Sequence, residues 1–359
     1  MAIGAIISVI SGAINIFNFA SENLPLAHSD KSTVRIYAAL ASSETNAGGD
    51  IPKVFTYNER GDYMGESSRS SFDIFFGIND KVETGSFVDV EVPIDTDNVG
   101  QQATYALFKA GNDAVCVAYA AITWPDGTNY AWSGDWGKAC GATWYWSNIY
   151  MDGSDNNNLD NTCIWIDADG NQPQTGFQIH WPEFVAQEGD EDLDPNYFCN
   201  DREPTFRYFV DEPEPEKYFS WWILDEKDKR GATSKPNIRN QSKGKSLRSA
   251  KRPRNETTSW QTDSRGRFTD RLILDDAPKG HSAVELCNSE TSHGPDFANI
   301  DEGVFCSMAD KTLYPICNSE VVGDCFNLES QQLVIGGVAA RSPYKKVEGW
   351  GGVGKKLKI

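Results

Sequence analysis

Seven of the chain's eleven tryptophans fall between residues 114 and 184: Trp124, Trp132, Trp136, Trp144, Trp146, Trp165 and Trp181. A large aromatic ring takes about 150–250 Å² out of water when buried and meets its neighbours at preferred angles. Such a density leaves two roles for the stretch, the main core of a domain or an aromatic contact surface. Both need a rigid scaffold, and the surrounding pattern says which kind.

From residue 33 to 184 the chain runs in short segments broken by turn residues. Segments 34–37, 54–57, 71–76 and 87–92 show period-two spacing in part or whole, and 105–108 and 114–123 are rich in small and β-branched residues. Turn signals stand between them at 58–62, 77–80, 125–127 and 168–171. Alternation sends successive side chains to opposite faces of a strand, while Gly, Asn and Asp accept the dihedral angles of tight turns. Many short strands at about ten-residue spacing predict a mainly β fold, an antiparallel β-sandwich.

Ahead of it, residues 2–20 are apolar and uncharged. On a helix, Ile3, Ile6, Ile7, Ile10, Ala13, Ile14 and Phe17 share one face, and Gly4, Ser8, Ser11, Asn15 and Asn18 the other. This spacing predicts an amphipathic helix, the sandwich's N-terminal appendage over 1–24. It fits three roles: a cleaved secretion signal without the usual basic start, a helix packed on the domain that follows, or a membrane-inserting helix. In the last role Ile3, Ile7, Ile10, Ile14 and Phe17 would meet lipid.

The sandwich domain is expected over 33–225, with an acidic segment at 186–216. Between residues 183 and 216 twelve Asp or Glu residues stand against Arg202 and Arg207, and four prolines interrupt regular structure, so a solvated segment with a few anchoring aromatics is expected. Residues 218–224 then resemble one further strand. Residues 226–270 form a basic, nearly apolar-free linker expected to be disordered. Dibasic pairs Lys229-Arg230 and Lys251-Arg252 are processing candidates there, and 240–242 and 255–257 are glycosylation sequons. The net charge of −19 argues against nucleic acid as a partner.

Eight cysteines occur without metal-ligand spacing: Cys116, Cys140, Cys163, Cys199, Cys287, Cys306, Cys317 and Cys325. The even count predicts disulfides and hence secretion, with neighbours in sequence as the simplest pairing. A small cysteine-containing β unit is expected over 271–346, stapled because so short a piece buries little core, and a flexible tail over 347–359.

No hydrolase, nucleotide or metalloprotease motif appears, which favours a non-enzymatic protein without cofactor. Asp167, Asp169 and Asn171 put oxygen ligands at alternate positions, as calcium loops do. The glycine and glutamate that an EF-hand needs are replaced by Gln172 and Gln178, so a hairpin turn is the alternative reading, with Asp152, Asp155 and Asp160 as further polar loop residues. A glycosidase would need two carboxylates across a groove, and Asp126, Asp135 and Glu183 lie among tryptophans that stack on sugars. The cluster Trp132, Trp136, Trp144, Tyr145 and Trp146 reads as a membrane or ligand surface, or as ordinary core.

An uncharged helix at 3–17 ahead of a sandwich bearing that cluster resembles the actinoporin-type pore-forming proteins. The resemblance covers about half the chain, is architectural, and is opposed by the acidity, the cysteines and everything after residue 184. The segment 287–325 looks like tails of secreted filamentous-fungal proteins. The resulting expectation is a secreted toxin or defence-type protein that binds membrane lipid or a cell-surface glycan and can act as a homo-oligomer. A lectin-like protein is the alternative, and a glycosidase the third.

Overall fold

The computed structural model describes residues 24–39, 46–67, 80–151, 159–184, 198–199, 205–215, 268–277, 281–340 and 343–351. The helix of Ile3, Ile7, Ile10, Ile14 and Phe17, the strand expected at 71–76 and the linker with Lys229, Arg230, Lys251 and Arg252 lie outside the described residues.

Two antiparallel sheets form the sandwich. One holds β1 (Lys31–Ala38), β6 (Phe87–Pro93), β8 (Val115–Thr123), β9 (Asn129–Ser133), β10 (Trp144–Met151) and β11 (Leu159–Ile166), in the order β10-β11-β8-β1-β6. β11 pairs with the first residues of β8 and β9 with the last. The other holds β3 (Lys53–Tyr57), β4 (Tyr63–Glu66), β7 (Tyr105–Lys109), β12 (Gly176–His180) and β13 (Phe206–Phe209), in the order β13-β12-β7-β3-β4. A ribbon of β2 (Gly49–Asp50) and β5 (Lys81–Val82) stands beside them. Period-two strands deliver one face of each sheet to a common core: Val34 and Ile36 from β1, Ile122 from β8 and Trp132 from β9 meet Phe108, Phe177 and Phe206 from the facing sheet.

β13 lies within the acidic segment and carries one of its expected anchoring aromatics in a regular strand. Phe206 is fully buried and stacks on Trp132 at 5.3 Å, so this stretch contributes a core strand as well as solvated acids.

The C-terminal unit is a second pair of layers. A mixed sheet of β14 (Arg271–Asp275), β15 (Asp296–Asn299), β16 (Val304–Ser307), β17 (Thr312–Pro315) and β21 (Lys346–Trp350) runs in the order β17-β16-β15-β14-β21, with β14 parallel to both neighbours. Leu272, Leu274, Ala298 and Phe305 on one of its faces meet Phe326 and Leu333 of a three-stranded sheet, β18 (Cys325–Asn327), β19 (Gln332–Ile335) and β20 (Val338–Ala339). Residues 347–350, expected as part of a flexible tail, instead complete β21, and Trp350 is buried because parallel pairing with β14 draws it over Phe297.

All eight cysteines are paired: Cys116–Cys163, Cys140–Cys199, Cys287–Cys306 and Cys317–Cys325. Sequence neighbours pair in the C-terminal unit. In the sandwich the pairs interleave, because β8 and β11 are adjacent strands although they are separated along the chain.

Candidate functional site

The structure divides the aromatic cluster between two interiors. Trp132, on β9, stacks on Phe177 and Phe206, and Trp136, on α1 (Gly134–Ala139), lies between Phe184 and Phe198. Trp144, Tyr145 and Trp146 of β10, with Trp165 of β11, belong to a second cluster with Phe268, Ile273, Leu286, Phe297 and Trp350 of the C-terminal unit. All five residues expected at a lipid or ligand surface, Trp132, Trp136, Trp144, Tyr145 and Trp146, are buried, the most exposed at 5%. They are corrected to core: rings out of solvent's reach have no face to offer a headgroup or a sugar.

The second interior is also a polar joint. Trp144 Nε1 donates to Ser289 Oγ at 2.9 Å, Trp146 Nε1 to the Ser282 carbonyl at 3.2 Å, Trp165 Nε1 to the His293 carbonyl at 2.8 Å and Tyr145 Oη to the Pro295 carbonyl at 2.9 Å. Every acceptor belongs to residues 282–295. That segment also pairs with the edge of β10, since Trp144 N donates to the Thr291 carbonyl and His293 N to the Trp144 carbonyl. An edge strand's open hydrogen-bonding groups are thereby covered. Lys138 lies over the Trp144 and Trp146 rings and pairs with Glu285 at 2.6 Å. Gly294 is required where it stands, because a Cβ there would strike the Tyr145 ring.

The three glycosidase candidates stand on three different elements. Asp126, in the exposed β8–β9 turn, accepts from Thr128 N and from Gln102 Nε2, bonds that hold its carboxyl below the usual range. Asp135 opens α1 and accepts from Thr162 N and Thr162 Oγ1 at 3.0 and 2.9 Å, tying the helix to β11; burial pushes its carboxyl up to about 6 against the opposing pull of Lys138. Glu183 lies in the turn after β12, 3.7 Å from His180 Nδ1.

Glu183 belongs to a constellation that the sequence reading did not assemble. Across the outer face of the five-stranded sheet, Tyr63, Tyr57, Tyr105 and His180 are register neighbours on β4, β3, β7 and β12. Tyr57 and Tyr63 meet edge-on at 6.1 Å, and His180 stacks on Tyr105 at 4.0 Å. His180 Nε2 lies 3.0 Å from Glu59 Oε2, so the ring stands between two carboxylates. Tyr57 is sealed by its hydrogen bond to the Pro215 carbonyl, and burial drives its hydroxyl far above the usual range. Tyr63, 41% exposed, is pushed up to about 12 by desolvation first and then by Glu66. Asn58 braces the β3–β4 turn through Asp62 and Gln101. The signal available in sequence was Tyr57 at the end of one expected strand and Tyr105 at the start of another, which join Tyr63 and His180 in a row only once the register is known.

Among the described residues no group of three His, Cys, Asp or Glu side chains is arranged to hold a metal, and Asp167, Asp169 and Asn171 form the β11–β12 turn. No helix among the described residues is long and apolar enough to cross a membrane. No protein-family model matches the chain, and no curated protein matches it.

Proposed function

We propose that the protein is a secreted, non-catalytic cell-surface-binding protein whose ligand is a glycan, held at the rim formed by Tyr63, Glu59, His180 and Glu183. One observation carries this reading: an aromatic row across a sheet end has a partly exposed ring, Tyr63, at one end and two carboxylates, Glu59 and Glu183, beside the His180 ring at the other. Sugars are bound by an aromatic face against their C–H groups and by carboxylates that accept from their hydroxyls. The Glu59 side chain is 64% exposed and available to such hydroxyls, and the turns that bear it are braced. Four disulfides support an oxidising compartment.

A glycan array on the full chain tests the proposal. Binding that drops at least tenfold in Tyr63→Ala and Glu59→Gln, in folded variants, is the expected result. An array on which the wild type binds nothing, or on which both variants bind as well as the wild type, ends this reading. Membrane attack has lost its headgroup-binding cluster and rests on residues 2–20 alone; liposome leakage abolished by deleting them would restore it in place of glycan binding.

A further inference from the structure

The turn that joins β11 to β12 holds buried polar groups that its own hydrogen bonds leave unmet. The turn is closed by Asp167 N donating to the Gln174 carbonyl at 2.8 Å, and Ala168 N ties it to the Gly111 carbonyl at 2.7 Å. Gly170 sits at φ +94°, a conformation that L side chains rarely adopt. Asp167 Oδ2 accepts from Asn171 N at 2.6 Å and Gln172 N at 3.2 Å, while Asp169 Oδ1 accepts from the same Asn171 N at 3.2 Å and from Asn171 Nδ2. Two carboxylates therefore converge on one backbone amide.

The other Asp167 oxygen, Oδ1, is buried without a hydrogen-bond partner, and the residue is 0% exposed. Independently of the carboxylates, both amide atoms of Gln172 and the Oε1 of Gln174 are buried and unpartnered on the same turn, in residues 1% and 2% exposed. A buried carboxylate oxygen without a donor, on a side chain that shares one amide with a second carboxylate, is costly unless a proton or a cation intervenes.

We propose that this turn is a calcium site, with the Asp167 and Asp169 carboxylates and the side-chain oxygens of Asn171 and Gln172 as protein ligands. The donor set is all oxygen, which selects a hard cation over zinc or copper. An irregular set of carboxylate and amide oxygens suits the variable coordination of calcium better than the strict octahedron of magnesium. A half-turn of the Asn171 amide exchanges its Nδ2 for its oxygen on the ion. Bound there, the ion would rivet the β11–β12 connection to the loop at Gly111. The spacing is that of the first three EF-hand ligands, with the glycine at the fourth place instead of the sixth, so the loop is a distinct one.

The test is thermal unfolding and titration calorimetry on the full chain, stripped with a chelator and then given calcium chloride or magnesium chloride at pH 7.5. Calcium at about one hundred times its Kd should raise Tm by about 5 °C, magnesium much less. Asp167→Asn and the exposed Asp169→Asn should each abolish the rise and the binding heat, the second serving where the first disturbs folding. No heat and no rise in the wild type would overturn the proposal. So would equal rises with both cations, or a rise that survives in both variants, since those report diffuse counter-ion binding to a chain of net charge −19.

Discussion

The tryptophans inside the sandwich and those beneath the C-terminal unit are equally buried, yet, Trp124 and its bond to the Ala103 carbonyl aside, the two groups use their N–H groups in opposite ways. Trp132, Trp136 and Trp181 have no partner for Nε1 among the described residues, and they act as shape. Trp144, Trp146 and Trp165 each donate a bond into residues 282–295, and Tyr145 does so through its hydroxyl. The sandwich core needs only volume in the right places, a tolerant requirement. The joint needs one partner in one register, because a displaced unit would leave several carbonyls and ring N–H groups buried and unmet. The sequence 114–184 thus contains both of the roles that tryptophan density allows, a core and a contact surface. The contacted body is the chain's own C-terminal unit.

Deleting a ring is the severest way to probe this difference. Trp132→Ala should destabilise the protein by about 3–5 kcal/mol and lower its unfolding as a whole, since the ring sits where both sheets meet. Trp165→Ala should cost a similar amount but split calorimetric unfolding into two transitions, because it loosens the joint and leaves each unit its own core. A single, equally shifted transition in both variants would show that the two interiors form one cooperative unit.

The disulfides sharpen the same contrast, since no bridge crosses the joint. Cys116–Cys163 and Cys140–Cys199 close loops of 47 and 59 residues in the sandwich, and Cys317–Cys325 closes one of 8. Chain entropy then assigns about 4 kcal/mol to each sandwich bridge and about 2.5 kcal/mol to the short one. Denaturant titration of paired Cys→Ala variants checks the order, and equal losses would point to strain or residual structure in place of loop closure.

The sandwich was legible because strands covered on one face alternate. β6, with its regular alternation of exposed and less exposed residues, is the plainest case, β3 and β7 match their predicted segments to within a residue, and β1 contains its own. The joint was encoded too, in β8: Val-Cys-Val-Ala-Tyr-Ala-Ala-Ile-Thr shows no alternation, and all nine residues are buried. A strand buried on both faces implies a third layer outside the sandwich. What covers it was illegible, because Ser282, Ser289 and the carbonyls of His293 and Pro295 carry no pattern that names a tryptophan as partner. β21 was hidden for a related reason: Lys346–Trp350 is short and glycine-containing, and its strand identity comes from pairing with β14. The His180 rim was illegible as a site because its members are brought together by register, a property of strand pairs.

A gentler substitution separates volume from hydrogen bonding. Trp132→Phe loses ring volume alone and should cost about 1–2 kcal/mol. Trp165→Phe loses comparable volume and also strands the His293 carbonyl, adding about 1–3 kcal/mol. Urea titration of the two variants reads the difference, and equal costs would mean that water replaces the indole at the joint.

A last test distinguishes the two regions by pH. On the sandwich side burial raises Asp135 to about 6, so between pH 4 and 6 the folded state holds more protons than the unfolded one, and stability falls as pH rises through that window. In the C-terminal unit Lys311 Nζ donates to the carbonyls of Leu286 and Ser292, and burial lowers it to about 7 although Asp296 pulls the other way. Its unfolded value is near 10.5, so between pH 7 and 10 the unfolded state holds more protons, and stability rises with pH there. Hydrogen exchange followed separately in β8 and β16 should therefore show protection declining from pH 4 to 6 in the first and growing from pH 7 to 9 in the second, after correction for intrinsic exchange. Lys311→Met should flatten the second slope whatever it does to absolute stability. A slope that persists in that variant, or one shared by both strands, would mean that the joint transmits each unit's titration to the other and that the two interiors are energetically one.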